Sequence, residues 1–181
     1  MKLLQKVPAL EVKRAFVISD RTKRQNFTTA KKGVLRMSEA ALDKILLRKN
    51  RSKRRDSYNK ALWHIGTVKT NEVGVWKGAG GLPLKWTRGS LAETGRLVKS
   101  GLKNNSQLIT DRAKTAIPGI LKNLSRVQKE KYLLPIILPG GSIARRDLKR
   151  MRGDIDDGCM RSIALAVSGK KTIKAYIGKK K

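Results

Sequence analysis

The sequence predicts a mostly helical α+β protein, with a small helical core, minor β-structure and basic, partly extended termini. Three observations predict it. Apolar residues recur at helical spacing over much of 38–132, short alternating stretches flank that region, and Lys and Arg are heaviest toward the two ends. A chain of 181 residues suits one domain with basic extensions. The expected division is a basic N-terminal strand and arm (1–36), a mainly helical core region (37–168) with a Gly/Trp loop at 73–90, and a basic C-terminal tail (169–181).

In order along the chain, LEVKRAFVI (10–18) alternates Leu10, Val12, Phe16 and Ile18 and predicts a strand. The polar, basic segment 20–33 predicts a loop or arm. Ser38 is placed to cap a helix whose inner face is Ala41, Leu42, Ile45 and Leu46. That helix runs into RKNRSKRR (48–55) and then Tyr58, Ala61, Leu62 and Ile65, either as one helix or as two hinged near 50–52. IGTVKT (65–70) and EVGVW (72–76) predict short strands. Ser90 and Glu93 have capping-box spacing ahead of Leu91, Val98 and Leu102, which share a helical face. Ile109, Ala113, Ala116 and Ile117 mark a further helix that Pro118 interrupts, opening another with Ile120, Leu121, Leu124 and Val127. LLPIILPGG (133–141) predicts an extended, proline-punctuated link. Ser142 caps an expected basic helix over 143–152, Asp156 or Asp157 opens a last helix with Ile163, Ala164 and Val167, and 172–177 predicts a small strand.

Charge narrows the function more than any motif. Lys and Arg number 43 against 13 Asp and Glu, a formal +30, which opposes compaction unless a polyanion neutralises it. The excess is spread: 18 positive and 5 negative residues in 1–60, 9 and 3 in 61–120, 16 and 5 in 121–181. That distribution suits a protein embedded in a polyanion better than an enzyme with one basic cleft. A single cysteine, Cys159, excludes an internal disulfide framework, and a single histidine, His64, leaves no Cys/His zinc set. The N-terminal stretch lacks the apolar run of a signal peptide, because Gln5, Lys6 and Glu11 break it. No stretch approaches the ~20 apolar residues of a membrane span. The expectation is a non-secreted protein located with its nucleic acid.

The segment VGVWKGAGGLPLKWTRGS (73–90) poses the sharpest question. GAGGLP fails the dinucleotide pattern, since Pro83 stands at its sixth position, and no Gly-Lys-Ser/Thr makes it a P-loop. Two readings stay open. Trp76 and Trp86 pack together across a glycine turn, or they stack bases while Lys77, Lys85 and Arg88 hold phosphates. In RKNRSKRR, Arg48, Lys49, Arg51, Lys53, Arg54 and Arg55 repel one another without an anion, and phosphate contact is the expectation. Arg145, Arg146, Lys149, Arg150 and Arg152 cover the faces of an expected helix that Ala144, Leu148 and Met151 leave free. Lys170, Lys171, Lys179, Lys180 and Lys181 make the tail a further phosphate-binding candidate.

DIDDG (154–158) is the one acidic cluster. It departs from an EF-hand, whose twelfth position here is Leu165. Asp154, Asp156 and Asp157 as a two-metal nuclease centre compete with carboxylates that complement a helix N-terminus and pair with the preceding arginines; the latter is expected. Cys159 and His64 have no local signature of a nucleophile and base.

These features together predict a non-catalytic, largely sequence-nonspecific nucleic-acid-binding protein, a structural part of a nucleoprotein assembly, with no cofactor or metal and a slight preference for RNA over DNA. In composition the chain resembles ribosomal proteins and viral core or nucleocapsid proteins, and no family motif decides between them. Other proteins of the assembly are expected partners. A peripheral, matrix-like protein on anionic lipid is the rival from another class, weakened by apolar helix faces without Trp or Phe anchors.

Overall fold

The computed structural model describes residues 1–48, 52–87, 89–103, 111–128, 133–139 and 153–180. Its secondary structure is α+β. The described strands are β1 (Lys2–Val7), β2 (Ala61–Lys69), β3 (Val73–Gly74), β4 (Ile136–Pro139), β5 (Gly153–Asp157) and β6 (Thr172–Lys180). The described helices are α1 (Ala9–Arg21), α2 (Phe27–Leu35), α3 (Glu39–Arg48), α4 (Ser52–Lys60), α5 (Leu91–Lys103), α6 (Asp111–Gln128) and α7 (Cys159–Val167).

The strands form one mixed sheet in the order β1-β2-β6-β4-β5-β3. β1–β2, β2–β6 and β4–β5 are antiparallel, whereas β6–β4 and β5–β3 are parallel. Because successive strand residues face opposite sides, the sheet serves two cores. Trp63, Ile136 and Leu138 pack toward α1–α4 with Val12, Phe16, Val34, Leu42, Leu46 and Tyr58. Ile137, Ile155, Ile173, Ala175 and Ile177 pack toward α5–α7 with Leu91, Val98, Ile120 and Ile163. The result is three layers, helices on sheet on helices.

Several elements differ from expectation for identifiable reasons. Residues 10–18 are helical within α1. Val12, Ala15, Phe16 and Ser19 are buried at i, i+3, i+4 and i+7, a spacing hidden behind the alternating apolar residues. The segment expected as a loop at 20–33 contains the end of α1 and most of α2, which starts where the Asn26 side chain accepts from the Thr29 N–H at 2.9 Å. Pro118 sits inside α6 instead of splitting it. Its exposed position keeps the ring out of the seam formed by Ala116, Ile120 and Val127. The expected link at 133–141 holds β4, whose Ile136, Ile137 and Leu138 are each at most 1% exposed. An uninterrupted apolar run is what a strand covered on both faces requires.

Other expectations hold wholly or in part. Ser38 Oγ accepts from the Ala41 N–H at 3.3 Å at the start of α3. Whether α3 and α4 form one helix or two falls on 49–51, outside the described residues. The expected helical continuation through Ala61, Leu62 and Ile65 is corrected, since α4 ends at Lys60 and those residues belong to β2. Ser90 Oγ accepts from the Glu93 N–H at 3.2 Å, as a capping box requires, but the Glu93 carboxylate turns to Arg96 at 2.7 Å. The 172–177 strand is real and longer, and it lies inside the sheet. The helix expected over 143–152 lies outside the described residues.

Candidate functional site

The acidic cluster is built into the core. β5 carries Asp154 and Asp156 into the sheet interior, at 0% and 7% exposure. Arg54 on α4 grips Asp156 with two prongs, Nε donating at 2.8 Å and Nη2 at 2.9 Å, and the Tyr58 hydroxyl donates to the same carboxylate at 2.9 Å. The Arg54 guanidinium also lies 4.7 Å from the centre of the Phe16 ring. Burial works to lower the Arg54 pKa, yet the fork to Asp156 outweighs it and the pKa is raised. Tyr58 is pushed well above the ordinary phenol range, first by burial and then by the negative charges of Asp156 and Asp157. Among the described residues, no group of three or more His, Cys, Asp and Glu is placed to hold a metal ion.

Asp157 pairs with Arg161 at 2.8 Å, one turn into α7, and Arg161 Nη1 donates to Ser19 Oγ at 3.0 Å. Gly158 makes the turn from β5 to α7 with a φ of +86°, and a side chain there would press on Pro135 and Arg161. Asp156 is thus held by Arg54 and Tyr58, and Asp157 by Arg161. The expected pairing with the arginines of 145–152 lies outside the described residues.

Beside this turn lies a cavity of about 520 Å³, bounded by the end of α1, the Trp76–Gly80 turn, α6 and the start of α7. Lys23, Lys122, Arg126 and Arg161 line it, together with Trp76 and the carboxylates of Asp156 and Asp157. No N-cap side chain closes the start of α7.

Two further groups of cations lie on the sheet. Across β1, β2 and β6, Lys2 stands opposite Thr67 and Thr67 opposite Lys174, while Lys69 stands opposite Thr172. Paired positions project to one face, so Lys2, Lys69 and Lys174 are exposed on one side beyond the end of the α1–α4 core. At the other end of the β2–β6 ladder, Lys60, Lys179 and Lys180 are exposed.

The structure separates the expected site residues. Trp86 is corrected: it is 5% exposed in the core, with Gly101 of α5 against its ring, so it offers no face to a base. Trp76 packs half-buried against the same core and borders the cavity. The two tryptophans thus belong to one cluster across a glycine turn. Arg54 is also corrected, because its charge is spent on Asp156 in the interior. Arg55 pairs with its neighbour Asp56 at 2.8 Å and stays partly exposed. Lys77, Lys85, Lys170, Lys171, Lys179 and Lys180 are exposed. Arg48 and Lys53 belong to α3 and α4. Lys49, Arg51, Arg88, Arg145, Arg146, Lys149, Arg150, Arg152 and Lys181 lie outside the described residues.

Sequence reading misses Lys13, which is 1% exposed and bridges Glu39 at 2.7 Å and Asp43 at 2.8 Å. It also misses Lys122 and Arg126 as cavity residues. Only their i, i+4 spacing on an amphipathic helix is visible in the sequence, and it does not tell which surface they face. No protein-family model, no curated protein and no solved structure matches this chain.

Proposed function

We propose that this chain is a non-catalytic, largely sequence-nonspecific nucleic-acid-binding protein that acts as a structural part of a nucleoprotein assembly, with RNA slightly preferred to DNA. One observation carries the reading. Among the described residues, several carboxylates are engaged within the fold while many lysines stand exposed at the surface. Glu11 accepts from Tyr176, Glu39 and Asp43 hold Lys13, Glu72 holds the N-terminal amine, Asp156 holds Arg54 and Asp157 holds Arg161. Exposed Lys2, Lys31, Lys32, Lys44, Lys69, Lys99, Lys174 and Lys180 stand on elements of every layer. A surface of one sign on several faces suits a polyanion that surrounds the protein, and counterion release supplies the affinity. The Lys2–Thr67–Lys174 row spans two strand spacings, about 10 Å, and a backbone crossing it meets cations flanking a hydroxyl.

The test is equilibrium binding to single-stranded RNA, duplex DNA and anionic vesicles over a salt series, with nuclease-treated protein. For about eight neutralised phosphates, duplex affinity falls roughly 10³–10⁵-fold between 50 and 200 mM salt. A shallow slope, or vesicles bound more tightly than either nucleic acid, would reject the reading.

A further inference from the structure

We propose that the cavity beside the β5–α7 turn binds one nucleoside monophosphate unit, either free or at the end of a strand. The inference goes beyond backbone binding, which needs no cavity. Its volume of about 520 Å³ lies within the ~300–1,000 Å³ of small-molecule sites. Its cations converge from three separate elements: Lys23 just after α1, Lys122 and Arg126 on α6, and Arg161 on α7. Lys122 and Arg126 are one turn apart, exposed, and without an acidic partner among the described residues. Like charges at i, i+4 destabilise a helix unless an anion sits between them.

Arg161 is matched by Asp157 and Lys23 by Asp20 at 3.3 Å, while Asp156 is matched by Arg54, so the charge left over in the wall is that of Lys122 and Arg126. Arg161 donates through Nη1 and Nη2, and its buried Nε has no acceptor among the described residues. A phosphate held by Lys122 and Arg126 lies beside the start of α7, whose first residues line the same cavity. Trp76 and Met160 in the same wall supply apolar surface for a base, and base–aromatic stacking contributes about 1–3 kcal/mol. Phosphate alone leaves that surface unused, and a nucleoside alone leaves the cations unused.

The experiment titrates the full chain with AMP, adenosine and inorganic phosphate at physiological salt, by calorimetry and tryptophan fluorescence. AMP is expected to bind at least about tenfold more tightly than either fragment. The double variant Lys122→Ala/Arg126→Ala should weaken AMP about tenfold or more, and Lys6→Ala/Lys103→Ala, at exposed positions of β1 and α5, should leave it unchanged. Circular dichroism and urea midpoints establish that both variants fold. Equal loss in both variants, or AMP no tighter than phosphate, overturns the site. Oligonucleotides with 5′-phosphate and 5′-hydroxyl ends separate the sources. A preference for the phosphorylated end that vanishes in Lys122→Ala/Arg126→Ala assigns the site to strand ends, and equal binding with AMP retained assigns it to free nucleotide. If AMP fails while RNA keeps its steep salt slope, the cavity inference falls and the surface reading stands; if RNA also fails, both fall.

Discussion

The side chain of Asp156 ties α4 to the sheet, because it accepts from Arg54 and Tyr58 at once. Removing it strands a guanidinium that is only 11% exposed. Asp156→Ala should therefore cost about 3–5 kcal/mol in urea unfolding, the usual loss when one partner of a buried pair is deleted. Tyr58→Phe should cost only about 1 kcal/mol, since Arg54 still holds the carboxylate. Tyr58 also has a pH signature. Its folded pKa is raised, so the unfolded chain releases the phenol proton first, and the contribution present below pH ~10 is lost as pH climbs above it. Stability should fall on the alkaline side, and urea midpoints measured above pH ~10 should fall less steeply with pH in Tyr58→Phe. None of this is legible locally. Arg54 reads as one cation in a run of six, and its partner lies 102 residues away. A charge run shows that phosphate contact is attractive; it does not show which member is buried.

At the scale of elements, close approach decides more than propensity. Gly95 lets α5 settle on α7, where an added Cβ would come within 2.5 Å of Ala166 Cβ. Gly95→Ala should cost about 1–3 kcal/mol, the range for overpacking a tight contact, and a thermal melt measures it. In an isolated helix the same change would be stabilising, so the sign separates packing from propensity. The start of α3 and the Ser90 cap are readable in the sequence because both depend on residues within one turn. The pattern of α1 misleads, since Leu10, Val12, Phe16 and Ile18 satisfy period 2 while Val12, Ala15, Phe16 and Ser19 satisfy 3.6. β4 reads as a link because Pro135 and Pro139 bracket it, yet prolines at strand ends leave the ladder between them intact.

For the whole molecule, charge outweighs every local effect. Exposed cations on every layer repel one another across the compact state, with a range set by the Debye length of about 10 Å at 0.1 M salt. The midpoint of thermal unfolding should rise with added salt in the free protein. It should rise further with single-stranded RNA at low salt and lose that gain as salt is increased, because ligand stabilisation scales with affinity. A midpoint that falls as salt is added to the free protein would mean that internal ion pairs such as Lys13 with Glu39 and Asp43 outweigh surface repulsion.

The place of β6 has a consequence for biosynthesis. This strand is the last described element in the chain, yet it lies between β2 and β4 and pairs with both. Until Thr172–Lys180 has left the ribosome, β1–β2 and the β4–β5–β3 group are separate half-sheets, each with an open edge. Closure couples residues about 110 positions apart, such as Trp63 and Gly178, and long-range pairing of this kind is slow. During that interval the nascent chain exposes unpaired strand edges beside a polycation, and an RNA already bound to its surface would keep one copy from pairing with the next.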